Sequence, residues 1–153
     1  MNIGDLLSAD SIVAGFKASS KKQAIQALAR KISAVAELDE RLVFDNLLER
    51  ERLGSTGVGK GVAIPHARIE GLSKITGFFA KLANPIDFDS VDDRPVDLIF
   101  MLLAPEEAGA DHLRALASVS RLLRDEAMCE KLRVTPDANA LYAMLAEPAS
   151  AAA

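Results

Sequence analysis

Two histidines and a pair of arginines are the side chains whose types and spacing could carry group transfer. His66 stands in Gly61-Val62-Ala63-Ile64-Pro65-His66-Ala67-Arg68, His112 follows Asp111, and Arg50 and Arg52 flank Glu51. A neutral imidazole has one nitrogen with a lone pair that can attack phosphorus and one that can donate a proton. For an isolated histidine the commoner outcome is a surface group without a task. Its context favours His66, because Pro65 pins the backbone before the ring, biases Ile64 to an extended conformation, and places the imidazole just beyond an expected strand end, where α/β proteins collect ligands. His112 shares a helical face with Leu116, Val119 and Leu123, which suits a hydrogen-bonded core residue unless His66 lies beside it. Arg50 and Arg52 fall at an expected helix C-terminus, a favourable place for cations, and only one of them can face the site. A guanidinium that reached His66 would suit phosphoryl oxygens and offset their charge.

Other chemistries have less support. Gly54-Ser55-Thr56-Gly57-Val58-Gly59-Lys60-Gly61 approaches the nucleotide-binding P-loop, yet glycine replaces the Ser or Thr that would hold magnesium. The segment also follows a helix and leads to Pro65, whereas a P-loop follows a strand and opens a helix. No glycine completes a dinucleotide fingerprint after Gly59. The histidines and the lone Cys129 lack a compact metal-ligand spacing, and there is no Gly-x-Ser-x-Gly elbow for a serine hydrolase. No metal or cofactor is expected.

The elements that must position these residues follow from periodicity. Ser20 to Gln23 fits a capping box, and Ile25, Leu28, Ala29, Ile32 and Val35 continue at helical spacing. Asp39 caps a second helix with Leu42, Val43, Leu47 and Leu48 on one side, ended by Gly54. Short and long β-branched or apolar runs predict strands at 62–64, 75–82 and 96–104, with turns at Asn84-Pro85 and Asp92-Asp93. Helical spacing returns after Gly109 with Leu113, Leu116, Val119 and Leu123, then at 128–132, then in a last helix opened by Thr135-Pro136 and running through Leu145. The expected fold is α/β, a mixed central sheet with helices on both faces, in one domain over residues 1–147 followed by a frayed tail at 148–153.

The chain has 153 residues, half of them apolar and 26% charged, a balance that folds and excludes disorder or coiled coil. Its net charge of -4 is spread over 18 basic and 22 acidic residues without a basic block, so nucleic-acid binding is not expected. One cysteine gives no disulfide framework, the start lacks a signal-peptide pattern, and the longest strongly apolar run is too short to cross a bilayer. A cytoplasmic protein without membrane insertion is expected.

The stretch from Arg50 to His66 resembles, without a gap, the signature of the mannitol/fructose-type enzyme IIA domains of the bacterial phosphotransferase system. Ser19 to Lys22, Pro85 to Phe88, Asp97 to Phe100 and His112-Leu113 extend the likeness over nearly the whole chain. The resemblance implies the mannitol-type enzyme IIA sandwich and a phosphoenolpyruvate-dependent phosphotransferase component without cofactor. His66 would be the phosphoacceptor, Arg50 the phosphoryl-stabilising arginine and His112 the second active-site histidine, with Ser55 and Thr56 as supporting hydroxyls or backbone donors unless they serve only turn chemistry. The donor would be a small histidine phosphocarrier protein. The N-terminal half resembles the stand-alone nitrogen-type member, which regulates proteins such as sensor kinases or potassium transport regulators according to its phosphorylation state. A stand-alone fructose- or mannitol-type domain serving a transporter IIB domain, and a regulatory module indifferent to phosphorylation, are the alternatives.

Overall fold

The computed structural model describes residues 2–147, so the tail expected at 148–153 lies outside the described residues. Strands β1 (Ile12–Phe16), β2 (Gly57–Gly59), β3 (Val62–Ala63), β4 (His66–Ile69), β5 (Thr76–Ile86) and β6 (Val96–Pro105) form one sheet in the order β1-β5-β6-β3-β2, with β4 also paired to β6. The sheet is mixed: β1 on β5 and both β3 and β4 on β6 run parallel, whereas β5 on β6 and β2 on β3 run antiparallel.

Helices α1 (Lys21–Ala36) and α2 (Glu40–Arg52) cover one face; α3 (Ala110–Arg124), α4 (Glu126–Val134) and α5 (Ala138–Ala146) cover the other. Alternation along β6 explains both cores. Ile99, Met101 and Leu103 meet Ile25, Leu28, Ile32, Val43 and Leu47, while Leu98, Phe100 and Leu102 meet Val119, Leu132, Leu141 and Leu145. A strand buried on both faces must read as a continuous apolar run, as β6 does.

Several expectations need correction. Ser20 caps α1 through the Gln23 N–H, but the Gln23 side chain returns to Ser19, one residue earlier than a capping box requires. Val35 lies near the end of α1 and is exposed, as is Leu113 in the first turn of α3; both helices bury a narrower stripe, with Ala115 rather than Leu113 facing the sheet. Asn84-Pro85 lies inside β5, not at a turn: pairing with β1 ends at Leu82, and the ladder to β6 is irregular between Lys81 and Ile86, so proline's missing N–H breaks no required bond there. Asp137, not Thr135, caps α5, and Thr135 ends α4 instead. Strands β1, β2 and β4 have no counterpart in the periodicity.

The correction that matters for chemistry concerns His66. It opens β4 rather than lying beyond a strand end. Val62 pairs with Leu98, Ala63 with Ile99, and after Ile64-Pro65 the same register resumes with His66 against Leu102. The two short strands are one strand interrupted by a proline that cannot donate, while the Pro65 carbonyl still accepts from the Leu102 N–H.

Phe100 is fully buried between the sheet and the α3–α5 layer, 6.4 Å from the Phe79 ring centroid. Phe100→Ala should therefore lower the unfolding free energy by about 3–5 kcal/mol in urea titration. A loss under about 1 kcal/mol would contradict that packing.

Candidate functional site

Strand β4 pairs only with β6 among the described residues, so its outer edge lies open to the helix ends of both layers. Alternation turns Ala67 and Ile69 toward α1 and α2 and puts His66 and Arg68 on the opposite face, in line with Val62 and Ile64. His112, in the first turn of α3, lies on that side too, and its ring centroid is 5.8 Å from that of His66 at an interplanar angle of 71°. Arg50, in the last turn of α2, enters from the other layer. These four residues, with Leu53, Leu113 and Leu116, line one open cavity of about 430 Å³.

Each polar contact constrains what the site can do. Nδ1 of His66 lies 2.8 Å from the Ile64 carbonyl oxygen. A carbonyl only accepts, so Nδ1 carries the proton and Nε2 keeps the lone pair. Arg68 donates from Nε to Nδ1 of His112 at 3.4 Å, and Nε2 of His112 is buried without a partner. Arg50 donates from Nη1 to the Gly54 carbonyl at 2.9 Å, which holds it over the end of α2. Arg52 turns away to Glu49 at 3.2 Å, so Arg50 is the one of the pair that borders the histidines.

Burial lowers the His66 pKa below the ordinary 6.5; the Ile64 acceptor pushes it up, the Arg50 cation down and the Glu51 carboxylate up. His112 is also lowered, by burial first and then by His66 and Arg68. Both rings are consequently neutral at neutral pH. An uncharged acceptor nitrogen beside two cations can attack an anionic phosphoryl group and hold it.

Ser55 and Thr56 spend their hydroxyls inside the loop. Ser55 donates to the Phe88 carbonyl at 2.7 Å and accepts the Gly57 N–H, while the Thr56 hydroxyl donates to Glu51. Neither lines the cavity. Glu51 is buried, accepts the Thr56 N–H at 3.2 Å and pairs with Lys21 at 2.7 Å, which ties the loop before His66 to the start of α1 and the end of α2. The reading of sequence missed Glu51 and Arg68 as site residues. Arg68 had a usable signal: two positions after His66 on one strand, it must share the histidine's face.

The chain matches the family described as "Phosphoenolpyruvate-dependent sugar phosphotransferase system, EIIA 2" over residues 5–147. It is 54% identical over 153 residues to a "Nitrogen regulatory protein" of Bradyrhizobium diazoefficiens, covering 100% of both chains. Its structure is similar to the crystal structure of nitrogen regulatory protein IIA-Ntr from Neisseria meningitidis, with a TM-score of 0.88 and 37% identity over 94% of this chain and 98% of that one. At the level of fold alone it is similar to IIA mannitol from Escherichia coli, with a TM-score of 0.78 and 24% identity over 92% of this chain and 99% of that one. No helix among the described residues is long and apolar enough to cross a membrane.

Because both histidines have folded values below 6.5, acidification through that value protonates the unfolded chain first. Their contribution to stability is whole above pH 6.5 and is lost as pH falls through the folded values. NMR titration should give both imidazoles midpoints below 6.5; a midpoint above it for either would contradict the described burial.

Proposed function

Because the chain belongs to the phosphoenolpyruvate-dependent sugar phosphotransferase system EIIA 2 family, we propose that it is a phosphocarrier that accepts a phosphoryl group on Nε2 of His66. The observation that carries this reading is the hydrogen bond from His66 Nδ1 to the Ile64 carbonyl, which leaves Nε2 with the free lone pair. The donor is a histidine phosphocarrier protein. The Nε2 lone pair forms the new P–N bond as the donor's P–N bond breaks, and that electron pair returns to the donor imidazole. The His66 proton stays on Nδ1, where the Ile64 oxygen shares the positive charge the ring acquires.

Arg50 receives the phosphoryl oxygens from the α2 side, and the unpartnered His112 Nε2 is placed to meet them from the α3 side. Ser55 and Thr56 act by holding the loop through Phe88 and Glu51, not by touching the phosphoryl group. Exposed Leu53 and Leu113 beside the histidines suit the apolar part of a docking surface for the donor. Residues 1–147 work as one cytoplasmic domain.

The product reports as a signal. A phosphoryl group brings about two negative charges to a cavity bordered by two arginines, so partners meet different electrostatics in the two states. The nitrogen-regulatory names of relatives that span the chain favour control of regulatory proteins, such as sensor kinases or potassium transport regulators, over delivery to a sugar transporter IIB domain.

Purified donor charged from phosphoenolpyruvate should label the chain once, and His66→Ala should take no label. Label persisting in that variant would overturn the reading. Arg50→Ala should slow transfer on the order of 10²-fold, the scale of losing one directed donor, with an unchanged melting midpoint. A large drop in thermal stability would make Arg50 structural instead.

A further inference from the structure

The phosphocarrier reading uses Arg68 only as a cation bordering the cavity, and it forms no ion pair among the described residues. We propose that Arg68 is a positioning residue that fixes the tautomer of His112, so that the second histidine presents Nε2–H to the phosphoryl oxygens. The proposal rests on the phosphocarrier reading for its consequence and on geometry for its content.

The guanidinium has donors only, and its Nε–H points at His112 Nδ1 from 3.4 Å. The ring nitrogen it meets must therefore hold a lone pair, because an N–H there would set two donors against each other. Neutral imidazole has one proton to place, and with Nδ1 occupied as an acceptor it goes to Nε2. That nitrogen is buried and has no hydrogen-bond partner. A buried donor left unpaired is rare in folded chains and marks a place where something else supplies the acceptor. Phosphoryl oxygens on His66 would be that acceptor.

The same contact disfavours a doubly protonated His112. Its charged or titratable neighbours around the cavity are His66 and Arg68 from β4 and Glu49 and Arg50 from α2, while Asp111 on its own helix is engaged by Arg114 at 2.7 Å. Glu49 is itself paired with Arg52. The two histidines thus carry opposite tautomers: a carbonyl makes His66 the lone-pair bearer at Nε2, and a guanidinium makes His112 the proton bearer at Nε2. Attack and stabilisation are assigned by what touches each ring on its Nδ1 side.

Nitrogen-15 NMR of the histidine side chains in the full chain reads this directly and needs no phosphoryl donor. The wild type should show His112 as the Nε2–H form and His66 as the Nδ1–H form. In Arg68→Ala, His112 should lose that preference and exchange between tautomers, while His66 keeps its form and so reports an intact strand. Transfer from the charged donor should slow roughly 10-fold, as for loss of a partner that orients an active group, and Arg68→Lys should recover most of the rate. His112 remaining in the Nε2–H form in Arg68→Ala, with or without slower transfer, would overturn the proposal. If the wild type takes no label, the phosphocarrier reading fails while the tautomer result still decides the role of Arg68.

Discussion

A single hydrogen bond, from Nδ1 of His66 to the carbonyl of Ile64, gives the site its direction. It converts an imidazole with two similar nitrogens into one with a fixed donor end and a fixed nucleophilic end. The bond exists because Pro65 interrupts the strand between Ala63 and His66 without shifting its register on β6. Proline contributes no N–H, and the Ile64 carbonyl before it is free to accept from a side chain two residues on. The covalent sequence Ile-Pro-His therefore builds the orientation of the ring locally, before tertiary contacts are considered.

Tertiary structure supplies what surrounds that ring. The strand edge on which His66 sits is reached by α2 from one layer and α3 from the other, so Arg50 and His112, on opposite sides of the sheet, border the same cavity. A convergence of this kind depends on where helices end. The end of α2 is secured by the buried Glu51, whose carboxylate ties Lys21 of α1 to Thr56 of the loop, while the exposed Arg50 bond to Gly54 only orients the guanidinium. Removing either partner of a buried ion pair leaves the other charge uncompensated, which makes this cluster the structural support of the loop before His66.

The layers of the fold were legible in the sequence because β6 is apolar on both faces and the helices carry their own periodicity. Strands β2 and β4 were not. β2 holds three residues, two of them glycine, and β4 begins with histidine and contains arginine, so their strand character comes from pairing with neighbours and not from composition. The same gap hid part of the site. His66, Arg50 and His112 could be named from residue type and family signature, and coordinates bring all three to one cavity. Arg68 escaped because its relation to His66 depends on their lying in one strand. Ser55 and Thr56 looked available because a motif gives residue identities but not the direction of their hydroxyls, which point to Phe88 and Glu51.

The most direct test of the account is the position of phosphorus on the labelled ring. Nitrogen-15 and phosphorus-31 NMR of the chain after transfer from its charged donor should place the phosphoryl group on Nε2 of His66, with Nδ1 still protonated. Phosphorus on Nδ1, or on a residue other than His66, would contradict it.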